Sequence, residues 1–136
     1  MPPPKGCPSD LVYFRLDEFR HPDLVDPRAA RTLDAVRGEF GAPIFLTDDA
    51  RLPGEAPPGA SPTSLHYLGQ AFDIRCRTWS PERMWAFVQA VQLVAGNLPA
   101  DEAGVELEVV WSAVDRHAHV GFYLNGHTNR LIIRAD

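Results

Sequence analysis

The chain has 136 residues, of which 45% are hydrophobic and 23% charged, the makeup of one globular domain rather than a disordered or fibrous chain. Its 13 Lys and Arg against 18 Asp and Glu give a formal net charge of -5, which argues against a nucleic-acid module. Cys7 and Cys76 are its two cysteines, too few for a disulfide framework and too far apart for a Cys-x-x-Cys metal knuckle, so both read as unpaired thiols.

No apolar run is long enough to span a membrane. Residues 1–10 carry prolines and a lysine but no apolar stretch, so they read as a flexible arm rather than a signal peptide. The expectation is cytoplasmic synthesis without an export signal. Residues 11–136 read as a single domain and a monomer.

Leu11 to Phe14 reads as a short extended run, and Asp17 to Phe19 as a turn. Asp26-Pro27 then gives a helix start, an N-cap residue followed by proline where a missing N–H costs nothing. Ala29, Leu33, Val36 and Phe40 recur at helical spacing, and Gly41 with Pro43 ends the helix. Pro43 to Thr47 is apolar and partly β-branched, hence a strand. Residues 48–62 hold several prolines and glycines and cannot be a regular element.

Gln70 to Cys76 predicts the next strand, with Phe72 and Ile74 on one face and Ala71, Asp73 and Arg75 on the other. Ser80-Pro81 repeats the cap-and-proline signal, and Met84, Phe87, Val88, Val91, Val94 and Ala95 form the buried stripe of a second helix ending near Gly96. Three strands follow, at Val105–Trp111, Ala118–Tyr123 and Leu131–Arg134, with Asn125-Gly126 marking a turn between the last two. The order predicts an α+β fold, an antiparallel sheet with both helices packed on one face. Its other face should carry the chemistry.

On that face the segment Arg116 to Tyr123 alternates, so His117 and His119 project together, roughly 6.6–7 Å apart along the strand. Two imidazoles and the carboxylate of Asp73, with His66 upstream, are the nitrogen and oxygen donors that a catalytic zinc takes, leaving its fourth position open. By spacing alone this competes with a histidine pair that binds nothing.

The segment Ser64-Leu65-His66-Tyr67-Leu68-Gly69-Gln70-Ala71-Phe72-Asp73, followed by His117-Ala118-His119, resembles the zinc D-Ala-D-Ala peptidases and their relatives, which include peptidoglycan-cleaving endolysins of bacteriophages and the hedgehog signalling domain. The family pattern Ser-x-His-x-x-Gly-x-Ala-x-Asp is present at every specified position. The resemblance extends more loosely over about residues 11–133. It implies the hedgehog/DD-peptidase fold, one Zn2+ held by His66, Asp73 and His119, a substrate carboxylate met by Arg51, and Ser64 hydrogen-bonding near the first ligand or to the substrate.

The resemblance also implies hydrolysis of D-amino-acid-containing peptidoglycan stem peptides, by a zinc-dependent metallopeptidase of carboxypeptidase or endopeptidase type. A bacterial enzyme or a bacteriophage component acting at the cell wall after lysis would both fit. Catalytic relatives commonly place an acid three residues before the last histidine, where this chain has Arg116. A compact branch instead places one two residues after it, where this chain has Gly121. The proton-transfer role then falls to Asp115 or His117, with Glu106 and Glu108 on the preceding strand as alternatives. A second reading is a non-catalytic zinc-stabilised binding or structural module of the same fold.

Overall fold

Both helices begin where the capping chemistry places them. In the computed structural model, which describes residues 5–50, 65–98, 104–111, 116–123 and 130–135, α1 runs Pro27–Phe40 and α2 runs Pro81–Gly96. The Asp26 carboxylate accepts the Arg28 N–H at 2.9 Å, and Ser80 Oγ accepts the Arg83 N–H at 3.1 Å, each satisfying a donor that the first helical turn leaves unpaired. Gly41 closes α1 in the left-handed region, its N–H reaching the Arg37 carbonyl.

The five strands are β1 Phe45–Asp48, β2 Ala71–Arg75, β3 Gly104–Trp111, β4 Arg116–Tyr123 and β5 Arg130–Ala135. They form one sheet in the order β1-β2-β4-β3-β5. Among the described residues, the β1–β2, β2–β4 and β3–β4 pairings are antiparallel and β3–β5 is parallel. The last pairing departs from the expected antiparallel hairpin between the final two strands. β4 already has β2 on one edge and β3 on the other, so β5 takes the outer edge of β3. Asn125-Gly126 lies outside the described residues.

The β2–β4 register sets Phe72 opposite Val120 and Ile74 opposite Ala118. Directly opposed residues share a face, and these four with Phe122 are fully buried. α1 and α2 pack on each other and over this side, bringing Leu33, Val36, Phe87 and Val91 into the same core. Phe40 packs edge-on against Phe87 and tilted on Trp79. Each fully buried side chain of this size contributes about 1.5–3 kcal/mol relative to exposure. The expected α+β arrangement and its core face are thus present.

Leu11 to Phe14, expected to be extended, joins no strand. The buried Asp34 carboxylate of α1 instead accepts the backbone N–H groups of Val12, Tyr13 and Phe14 at 2.9–3.0 Å. A side chain thereby supplies the acceptors that a neighbouring strand would otherwise provide. Gly6 and Cys7 also donate to the Val25 and Pro22 carbonyls. Burial, with the negative charges of Asp49 and Asp34, pushes the Cys7 thiol up to about 11. Among the described residues, no helix is long and apolar enough to cross a membrane.

Candidate metal centre

The face of β2 and β4 away from the core carries the polar alternation. Asp73 stands directly opposite His119, and Arg75 opposite His117. The strand alternation that buries Phe72 and Ile74 therefore delivers one carboxylate and one imidazole to a common point on the other side.

His66 arrives from a single 3-10 turn, Leu65–Leu68, just before β2. Gly69 ends the turn at φ +70°, with its N–H on the His66 carbonyl and its own carbonyl taking the Asp26 N–H. A Cβ at Gly69 would meet the Leu24 carbonyl oxygen and the Asp26 nitrogen. Position 69 therefore needs glycine both for its left-handed backbone and for close passage over residues 24–26. Gln70 adds a second tie, its Nε2 donating to Asp26 Oδ2 at 3.0 Å. Burial opposes charge on Asp26, but hydrogen bonds from Arg28 and Gln70 and the Arg28 charge hold its carboxyl below the usual range. The segment between the two upstream ligands is thus pinned to the start of α1.

Asp73 Oδ1 lies 3.1 Å from His119 Nδ1 and 3.3 Å from His66 Nε2. Ligand atoms of His66, Asp73 and His119 all fall within 4.8 Å of one another. Donors bound tetrahedrally at zinc–ligand lengths of about 2.0–2.2 Å stand about 3.4 Å apart, close to both carboxylate–imidazole separations. Burial works against the Asp73 charge. Hydrogen bonds from His119 and from His66 in its protonated form, with the charge those imidazoles then carry, nevertheless keep the carboxyl well below the usual carboxylate range.

The tautomer of His66 follows from its other nitrogen. Nδ1 faces the backbone carbonyl of Asp49, which can only accept, so in the neutral ring the proton sits on Nδ1 and the lone pair on Nε2. That is the nitrogen turned towards Asp73. Fixing a ligand imidazole through its second nitrogen is how proteins orient metal-binding histidines. The donor set and its geometry therefore fit a divalent ion that takes nitrogen and oxygen ligands, zinc among them.

The sequence reading missed a second group. His21, Asp48 and Asp49 also place ligand atoms within 4.8 Å of one another. The Asp49 carboxylate is fully buried and accepts the backbone N–H groups of Arg20, at 2.6 Å, and His21. Asp48 Oδ1 accepts the Asp49 N–H at 3.0 Å. Two adjacent acids in a proline- and glycine-rich stretch carry no periodicity that would have announced this contact across the chain.

The remaining expected residues divide. His117 occupies the rung next to His119, on the same face, and lies outside the close ligand group. Glu108 and Glu106 of β3 take register positions opposite His119 and Gly121. Arg51, Ser64 and Asp115 lie outside the described residues. The chain has no significant match to a protein-family model, a curated protein or a solved structure.

Proposed function

We propose that the chain is a zinc-dependent metallopeptidase that hydrolyses D-amino-acid-containing peptidoglycan stem peptides, with His66, Asp73 and His119 holding one Zn2+. The observation that carries this reading is the convergence of those three side chains from a turn and two strands, on the side of the sheet away from the core. They are also the residues that the Ser-x-His-x-x-Gly-x-Ala-x-Asp and His-x-His resemblance singles out. A zinc ion in that site supplies Lewis acidity for a peptide carbonyl and makes a water molecule a better nucleophile at neutral pH.

The chain's own groups supply the rest of the proposal. Asp73 offsets the ion's charge, and the Asp49 carbonyl holds the His66 ring in register. His117, one rung away on the same face, or Asp115 just before β4, takes the proton and returns it to the leaving amine. Arg51 receives the terminal carboxylate of the substrate, and Ser64 hydrogen-bonds near His66 or to the substrate. In this reading the enzyme works as a monomer, at the cell wall after lysis or as part of a phage particle.

Arg116 favours one competing reading, since it stands where catalytic relatives place an acid and cannot accept a proton. Without a proton acceptor the same ligands would make a zinc-stabilised binding module. Incubating the zinc-loaded chain with purified sacculi and with D-Ala-terminated peptides, followed by mass analysis, separates the two. Release of D-Ala or of cleaved stems, lost in His119→Ala, is the expected result. A zinc-loaded chain that yields no product overturns the peptidase.

A further inference from the structure

A cavity of about 390 Å³ lies along the ends of β1, β2 and β4, lined by Thr47, Ile74, Arg75, Arg77, Arg116 and His117. None of these lining residues is acidic. Three arginines line it in a chain whose formal net charge is -5. Arginine stays protonated in proteins, so three fixed positive charges belong to residues at one opening, with no carboxylate among its described lining residues. Such a concentration creates a local field of sign opposite to that of the whole molecule, which attracts anions.

The cavity is registered to the candidate metal centre. Arg75 and His117 form the rung two residues along from Asp73 and His119, on the same face of the same strand pair. Two residues of strand cover roughly 6.6–7 Å, and an extended peptide advances at most about 3.3–3.6 Å per residue. A peptide lying along this face with a carbonyl at the three ligands would therefore place a group from about two residues away at the cavity. Guanidinium forks match the planar, two-oxygen geometry of a carboxylate. Phosphate shares the oxyanion chemistry, but the reach along the strand pair favours a peptide.

We propose that this cavity is an oxyanion-receiving subsite that binds a side-chain carboxylate of a peptide lying across the β2–β4 face, apart from the terminal carboxylate assigned to Arg51. Arg75 and Arg77 are its principal donors, and Arg116 adds charge at its edge. This gives Arg116 a part in recognition at a position where proton transfer is closed to it. That the bound peptide is also a substrate rests on the metallopeptidase reading; the preference of the cavity for a carboxylate does not.

The test uses the full zinc-loaded chain and two ligands, acetyl-Ala-Glu-Ala-amide and acetyl-Ala-Gln-Ala-amide, titrated by calorimetry with NMR observation of the arginine Nε–H groups. The glutamyl peptide should bind roughly tenfold more tightly, the scale of one charge-assisted pair, and should shift the Arg75 and Arg77 signals. The double variant Arg75→Gln/Arg77→Gln should lose that preference while keeping its zinc and its circular dichroism spectrum. Both substitutions fall on exposed side chains, so folding is spared. Inorganic phosphate should compete with the glutamyl peptide for the same signals.

Equal binding of the two peptides, or a preference that survives in the double variant, overturns the subsite. Phosphate binding at these arginines without any glutamyl preference overturns it in favour of a free-phosphate site. The two proposals fail separately. In His119→Ala cleavage should vanish while the glutamyl preference persists, and a chain that cleaves nothing yet prefers glutamate refutes the peptidase alone.

Discussion

Asp73 sets one oxygen between two imidazole nitrogens, whereas Asp49 turns both of its oxygens to the backbone amides of Arg20 and His21. The two carboxylates belong to groups of similar compactness, His66–Asp73–His119 with two imidazoles and one carboxylate and His21–Asp48–Asp49 with one imidazole and two. Asp49 Oδ1 also lies 3.4 Å from His21 Nδ1, so what separates the two is that both Asp49 oxygens already take backbone N–H groups. A carboxylate that caps amides is part of the backbone's own hydrogen-bond accounting and would leave those N–H groups unpaired if it turned to a cation. One that faces imidazole nitrogens can exchange those contacts for a shared ion. The first group is therefore the metal candidate. The second is the clamp beneath it, joined to it by the bond from His66 to the Asp49 carbonyl.

The sharpest way to break this contrast is metal analysis. Zinc per chain should fall from near one to near zero in His66→Ala, Asp73→Ala and His119→Ala. It should stay near one in His21→Ala and Asp48→Asn. Equal loss from His21→Ala and His119→Ala would collapse the distinction.

The next effect concerns the turn that carries His66. Gly69→Ala forces an alanine into the left-handed region, at about 1–2 kcal/mol, and drives its methyl into the backbone of residues 24–26. Urea unfolding of metal-free protein should show a loss of more than about 2 kcal/mol. A near-neutral result would mean that the turn is not held against α1 as described.

Asp49→Ala tests the clamp directly. Unpairing the Arg20 and His21 amides from the buried Asp49 carboxylate should cost about 1–3 kcal/mol in unfolding experiments. It should also weaken zinc binding about 10–100-fold in competition with a chelator, the usual scale for a group that orients a ligand. Lost stability with unchanged zinc affinity would show that the clamp and the metal candidate are independent.

The smallest effect is read by acidification. The Asp26 carboxyl is depressed in the folded chain, so its contribution is present above the ordinary aspartate range near pH 4 and disappears as pH falls through the folded value. Metal-free Asp26→Asn should lose stability less steeply than the parent between pH 5 and pH 3 in urea titrations. Identical slopes would remove Asp26 as an anchor of the ligand turn.

Capping and alternation made much of this legible. Asp26-Pro27 and Ser80-Pro81 marked both helix starts because a capping side chain and an N–H-free residue act within two positions of one another. The side chains at 71–75 and 117–122 likewise showed which face would be buried and which would hold Asp73 and His119, since the pleat has a period of two. β1 begins at Phe45 rather than Pro43 and extends to Asp48, the proline lacking the N–H a ladder needs.

Long-range hydrogen bonds were less readable. Asp34 receiving three amides of residues 12–14, and Asp49 receiving those of residues 20 and 21, depend on tertiary approach and leave no local pattern. The parallel β5 was hidden for a related reason. Its partner was decided by which sheet edge β4 had left open.

The orientation of His66 comes from a main-chain oxygen, and that has a consequence for how the site can vary. A side-chain acceptor can be deleted by one substitution, but every residue placed at position 49 brings a carbonyl with it. Mutation there can shift the acceptor or unsettle the peptide plane without abolishing it. The tautomer of this histidine is thereby tolerant of sequence drift at position 49, to the extent that the backbone path through it is preserved.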